Sequence, residues 1–259
     1  MTDYTNLDLA INGHIATLTL NNPPAHTWTL ESLKSLKQLV ADLNANKAIQ
    51  ALVVHGDGEK FFSAGADLNS FASPDKGPAT DMAVAFGEAF EALTNFRGVS
   101  IACINGYAMG GGLEFAMCCD IRIAEEHAQM ALPELSVGLL PCAGGTQNLA
   151  WLVGEGWAKR MILCGERIKA DKALQIGLVE EVVEKGKGLE TALALAAKVA
   201  KQSPDALASS KVLIQSARTN PPKFNLINER EDFIKLWDGE NQMEGVNAFL
   251  EKRPAEWKV

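Results

Sequence analysis

Hydrophobic and polar residues alternate through residues 8–11 and again through 15–20, and the two runs flank Asn12-Gly13. Asn-Gly favours a two-residue hairpin turn, whose central residues both take positive φ, so the chain is expected to open with a β-hairpin. After Pro23-Pro24 the period changes, with Leu30, Leu33, Leu36, Val40 and Leu43 recurring every three to four positions. That spacing marks one face of a helix, with Thr29 as its N-cap. Residues 51–55 form a short apolar run closed by Gly56-Asp57-Gly58, the pattern of a buried strand.

The alternation of element types continues. Met82, Phe86, Phe90, Leu93 and Phe96 share one face of a helix expected over 81–96, and the plain reading of that stripe is core packing. A buried strand follows over 99–104. Residues 105–112 make a glycine-rich turn into a short helix through Cys119, and 121–124 make a third buried strand. Strand, helix, strand, turn, helix, strand is the order of an α/β protein. Residues 146–163 read as helix with a break at 154–156, and a short helix over 171–176 ends at Gly177 before a strand over 178–183. From Leu189 onward only helical patterns remain, punctuated at Ser203-Pro204, Pro221-Pro222 and Gly239. A boundary is therefore expected near residue 200, between an α/β part (1–200) and a helical part (201–259), with no strict internal repeat.

Composition narrows the classes. The 259 residues, 47% hydrophobic and 22% charged, suit a globular chain with one full-sized core. With 32 acidic against 24 basic residues the formal charge is -8, which disfavours a sequence-independent grip on nucleic acid. The stretch from Met1 to Leu9 lacks a basic segment followed by an apolar one, so a cytoplasmic location is the expectation. The longest apolar-looking region, 99–119, is cut by Asn105, Glu114 and four glycines, which argues against a membrane span. Cys103, Cys118, Cys119, Cys142 and Cys164 show no C-x-x-C spacing and are expected as reduced core thiols. His14, His26, His55 and His127 form no metal motif.

Three features could carry chemistry. Ser63-Ala64-Gly65-Ala66-Asp67-Leu68 follows one buried strand, and Gly110-Gly111-Gly112 opens the helix after another. Ligands gather where loops leave the carboxyl ends of parallel strands, and amides at a helix start have no intrahelical partner. Small residues let such amides approach a developing oxyanion. Both segments could be plain tight turns, but three glycines cost a helix about 1 kcal/mol each relative to alanine, a loss that indicates backbone access or very close packing. Neither matches a phosphate-binding motif, and G-x-S-x-G is absent. The third feature is a pair of carboxyls, Glu114 and Glu134, each set in apolar sequence. Burial should raise the Glu114 pKa, and two carboxyls flanking one reaction centre can divide acid and base duties; each alone could equally be a paired or capping carboxylate.

The segments 60–68 (KFFSAGADL), 105–114 (NGYAMGGGLE), and 132–134 (LPE) through Gly144-Gly145-Thr146-Gln147 resemble the enoyl-CoA hydratase (crotonase) family, and the resemblance covers nearly the whole chain. It implies a spiral of ββα units followed by a C-terminal helical trimerisation region, assembled as a trimer or a dimer of trimers. By that resemblance the amides of Ala66 and Gly111 form the oxyanion hole for an acyl-CoA thioester. Glu114 activates the water that attacks Cβ, and Glu134 delivers a proton to Cα. Ala64, Asp67 and Leu68 lie in the same substrate-binding loop, while Lys60, and Phe249 with Lys252, the latter pair often from a neighbouring subunit, match positions contacting coenzyme A. No cofactor is implied beyond the coenzyme A of the substrate itself. Both acid/base positions carry Glu, which favours hydration over isomerisation; the alternatives are an enoyl-CoA isomerase, another crotonase-type acyl-CoA enzyme, or a nonenzymatic acyl-CoA- or RNA-binding relative. Pro23-Pro24-Ala25-His26-Thr27-Trp28 departs from the family pattern beside the expected coenzyme A channel. A loop over 72–79 is expected to shape the acyl pocket.

Overall fold

The computed structural model describes residues 3–72 and 74–259. Met1, Thr2 and Ser73, which belong to the N-terminal stretch and the 72–79 loop considered above, lie outside the described residues. The chain opens with the expected hairpin, β1 (Leu7–Asn12) and β2 (Ile15–Leu20), joined through Gly13 at φ 58°. Helix α1 (Leu30–Ala45) begins where Thr29 accepts a hydrogen bond from the Ser32 amide, and Leu33, Leu36, Leu39, Val40 and Leu43 are its buried face.

Three successive units then repeat one path. The first is β3 (Ala51–Gly56), β4 (Phe61–Ser63) and α2 (Lys76–Thr94). The second is β5 (Val99–Ile104), β6 (Tyr107–Met109) and α3 (Gly111–Cys118). The third is β7 (Ile121–Glu125), β8 (Gln129–Ala131) and α4 (Gly145–Leu163). After these come β9 (Ile168–Lys169), α5 (Ala170–Gln175), β10 (Glu181–Val183), α6 (Gly188–Val199), α7 (Pro204–Ser216), α8 (Pro222–Lys235) and α9 (Asn241–Glu251).

The first strand of each unit joins a six-stranded sheet ordered β1-β2-β3-β5-β7-β10, and the second joins a four-stranded sheet ordered β4-β6-β8-β9. Within the larger sheet the pairs from β2 to β10 are parallel, with only the β1–β2 hairpin antiparallel. The chain therefore turns a corner between sheets once per unit, and adjacent corners are stitched together. The Asn105 side chain accepts from the Gly56 amide at 3.0 Å and donates to the Gly56 and Gly58 carbonyls at 2.8 Å. A buried amide side chain with its bonds filled fixes one corner against the next.

The main core lies under α1, α2, α3 and α4. Its centre is an aromatic group in which Trp28 meets Phe90 edge-on at 5.6 Å and Phe115 at 4.9 Å, and Phe62 stacks on Phe115 at 6.1 Å. On the other face, Ala192 and Ala196 of α6 pack against Val53, Ile101 and Ile123. The unusual Trp28 thus serves packing, and the neighbouring His26 is buried with φ 52°. His26 Nδ1 accepts from the Asn22 amide and Nε2 donates to the Asp57 carbonyl, which assigns a neutral tautomer in a structural role.

Several expectations need correction. Helix α2 starts at Lys76 rather than 81, because Asp75 caps the Gly77 amide and Pro78 sits in the first turn, where its missing N–H costs no bond; residues 76–79 are therefore helix. The expected strand over 178–183 shrinks to Glu181–Val183. The Leu178 amide instead bonds back to Ala173 at the end of α5, so Leu178 and Val179 are buried in a turn. All five cysteines are free, yet Cys142 and Cys164 are exposed and only Cys103, Cys118 and Cys119 are core thiols. Among the described residues, no helix is long and apolar enough to cross a membrane, and no group of three or more His, Cys, Asp or Glu side chains could hold a metal ion.

Candidate active site

The two small-residue segments meet at the carboxyl ends of β4 and β6. Gly65 takes φ 89°, and a Cβ built on it would lie 2.7 Å from the Met109 carbonyl oxygen and 2.9 Å from the Gly111 nitrogen, so only glycine lets the loops touch. A side chain at Gly112 would strike the Ser63 carbonyl, which puts the start of α3 directly on the strand leading into the other loop. The triple glycine thus serves close packing as well as backbone access.

Each loop presents a free amide. Trp28 bridges Ala66 in a parallel ladder, but its bonds run to the Gly65 carbonyl and the Asp67 amide, at 2.8 and 3.1 Å, leaving the Ala66 amide outside the ladder. Gly111 is the first residue of α3, where an N–H has no carbonyl one turn earlier to bond. Both residues line a cavity of about 720 Å³. Glu114 and Glu134 line the same cavity, as do Ala64, Asp67 and Leu68.

The two carboxyls are held differently. Glu114 projects from α3 and is 3% exposed. Its Oε1 accepts from the Ala143 amide at 2.9 Å and the Gly145 amide at 2.8 Å, the latter being the first N–H of α4. Burial lifts its pKa above the ordinary carboxylate value while those two amides oppose the rise, favouring the anion. Glu134 stands on the 3-10 turn Glu134–Val137, with Oε1 3.0 Å from where a Cβ on Gly110 would stand and Oε2 without a hydrogen-bond partner. Burial pushes its pKa up to about 7, its own backbone amide pulls the other way, and the nearby Glu114 charge adds to the rise. As the apolar sequence around each carboxyl suggests, both shift upward.

Other proposed contacts lie elsewhere. Lys60 does not line the cavity; its ammonium sits 5.3 Å from the centre of the Phe61 ring. Phe249 and Lys252 also lie outside the lining: Phe249 is 82% exposed on α9, and Lys252 is the left-handed C-cap of that helix at φ 57°. Sequence reasoning missed the cavity wall, which includes Phe86 of the apolar stripe on α2, Val137, Leu139 and Leu140 after Glu134, and Cys142. Burial, and then the two carboxylates, push the Cys142 thiol up to about 11. It also missed the hold of Ala143 and Gly145 on Glu114, for which the Gly144-Gly145 pair ahead of a helical pattern was the available signal.

Comparison with known proteins agrees with this geometry. A sequence profile for the family described as Enoyl-CoA hydratase/isomerase matches residues 10–259. The 2,3-dehydroadipyl-CoA hydratase of Escherichia coli is 40% identical over 244 residues, covering 93% of this chain and 94% of that protein. The short-chain-enoyl-CoA hydratase of Clostridium acetobutylicum is 35% identical over 255 residues, 98% of each chain. Among solved structures, Pseudomonas aeruginosa DspI superposes with a TM-score of 0.97 at 62% identity, covering 100% of this chain and 98% of that one. The corner-turning ββα units therefore form a crotonase fold with helices after them, and the chain belongs to the enoyl-CoA hydratase/isomerase family.

Proposed function

We propose that the protein is an enoyl-CoA hydratase that adds water reversibly and syn across the C2–C3 double bond of a 2-enoyl-CoA thioester. The observation that carries this reading is the unequal hold on two carboxyls in one cavity with two free amides: Glu114 bound by a pair of backbone N–H groups, Glu134 with a bare oxygen and a pKa near 7. The thioester carbonyl accepts from the Ala66 and Gly111 amides, which stabilise the negative charge that grows on its oxygen. Ionised Glu114 takes a proton from water as its oxygen bonds to Cβ. The π electrons shift toward the thioester, and protonated Glu134 gives its proton to Cα as the carbonyl re-forms. Water has then been added with no net proton released, and the pair is left as a protonated Glu114 and an ionised Glu134, which exchange one proton to restore the starting state.

On this reading Ala64, Asp67 and Leu68 line the substrate's path, while Lys60, Phe249 and Lys252 meet the coenzyme A end, the last two across a subunit boundary. The reaction calls on backbone amides and carboxyls for its charge stabilisation, so no cofactor beyond coenzyme A in the substrate is proposed, and full activity after treatment with a chelator is the expected result. A trimer, or a dimer of trimers, is proposed to form through the C-terminal helices. Helix α8 has no buried residue, and Phe224, Phe233, Ile234 and Trp237 stand exposed in the single chain. Light scattering is expected to give a multiple of three chains. A cytoplasmic location is proposed as well.

Incubation with crotonyl-CoA tests the activity. Loss of the conjugated enoyl absorbance with appearance of 3-hydroxybutyryl-CoA supports the reading. No change with crotonyl-CoA but conversion of a 3-enoyl-CoA would make the protein an isomerase instead.

A further inference from the structure

Family membership leaves open the charge of the acyl tail, and here the cavity lining bears on it. The thioester, placed at the Ala66 and Gly111 amides, brings C2 and C3 beside Glu114 and Glu134, so every later carbon of the acyl group must run along the remaining wall. That wall includes Phe71, Ala83 and Phe86, together with Val137, Leu139 and Leu140. No lysine, arginine or histidine is among the described residues lining the cavity, and apart from the Cys142 thiol its ionisable groups are the carboxyls of Asp67, Glu114 and Glu134. One Asp67 oxygen is already taken by the Asn69 amide.

We propose that this pocket selects neutral hydrocarbon acyl tails and rejects acyl groups that end in a carboxylate. The inference rests on the hydratase reading above and deepens it. A hydrocarbon tail exchanges water for apolar wall, which favours binding in proportion to the area covered. A carboxylate carried into the same space loses its hydration and finds no cation to replace it; the donor side chains among the described lining are the Thr27 and Ser136 hydroxyls, the weak Cys142 thiol and the protonated Glu134, whose proton the reaction uses. It also meets the ionised Glu114, a charge of its own sign. Rejection of the wrong substrate by an uncompensated charge discriminates more sharply than a change of one methylene in an apolar pocket.

Three substrates of matched length test the proposal on the wild-type protein: 2-hexenoyl-CoA, 2,3-dehydroadipyl-CoA and the monomethyl ester of the latter. The expected result is comparable kcat/KM for the hexenoyl compound and the ester, with the free acid lower by about 100-fold or more. The ester controls for size, because it keeps the extra atoms and removes the charge. An acid hydrated within about threefold of its ester would overturn the proposal and leave the hydratase reading standing. Hydration of none of the three would overturn the hydratase reading and this inference with it. Replacing a wall residue by a cation is expected to raise the acid-to-ester ratio about tenfold, in Leu139→Arg at the rim or Ala83→Lys inside. An unchanged ratio in both folded variants would overturn the electrostatic basis.

Discussion

Glu114 and Glu134 are the same side chain in two settings on the wall of one cavity, and the settings differ in what the backbone offers. Around Glu114 the start of α4 and the preceding loop aim two amides at one carboxyl oxygen. Around Glu134 a 3-10 turn lifts the carboxyl into the cavity and leaves Oε2 without a donor. Burial acts on both in the same direction, so burial alone could not assign one to accept a proton and the other to give it. The difference comes from donors to the charged form, present for one and missing for the other. In the proposed mechanism two carboxyls share one proton, and the backbone donors decide where that proton sits.

The largest expected effect follows from removing the base. Glu114→Gln is expected to lower kcat by up to about 10⁴-fold with little change in acyl-CoA affinity, read by steady-state kinetics beside a direct binding measurement. Glu134→Gln is expected to lose about 10³-fold, and the double variant little more than Glu114→Gln alone, since groups that act as a unit are not additive. Wild-type turnover in either single variant would remove the acid/base pair from the account. Gly111→Pro keeps a residue suited to the first position of α3 but deletes its N–H, with an expected loss of about 10² to 10³-fold in kcat and an unchanged far-ultraviolet dichroism spectrum.

A smaller effect is the pH dependence. With Glu134 at about 7, kcat/KM is expected to fall roughly tenfold per unit above that value as the proton donor ionises, and the limb should vanish in Glu134→Gln. Because water addition releases no proton, hydration and dehydration must follow the same curve. The smallest effect is on stability. A carboxyl whose folded pKa stands above its unfolded value of 4.5 favours the folded state below 4.5, and that contribution is lost as pH rises toward about 7. Glu134→Gln should therefore raise the Tm by about 2–4 °C in mildly alkaline solution, and leave it nearly unchanged in acid, by scanning calorimetry.

Much of this was legible before any coordinates. Asn12-Gly13 between alternating runs gave the hairpin, and Thr29 ahead of a leucine face gave α1, because local turn chemistry and periodicity act within a dozen residues. The second sheet was not legible. Its strands are two or three residues long, too short for a period of two to register, and they exist because neighbouring strands align them, parallel from β4 to β8 and antiparallel at β9. Pro78 concealed the start of α2 by reading as a break where it was the first turn. Glu114, Glu134 and the two amide loops could be named from sequence because their motifs are contiguous. The partition between the carboxyls came only from the family resemblance; its physical cause could not be read, since it depends on Ala143 and Gly145, about thirty residues downstream of Glu114. Cys142 was misplaced for the same reason: its apolar neighbours suggest a core, but the fold turns it into the cavity.

Carbon-13 NMR of protein labelled at the glutamate carboxyl carbon, with Glu114→Gln and Glu134→Gln supplying the assignments, reports directly where the shared proton resides. Glu134 is predicted to titrate at about 7, with Glu114 ionising at lower pH. Glu134 titrating near 4.5, or Glu114 holding its proton to higher pH than Glu134, would contradict the division of roles.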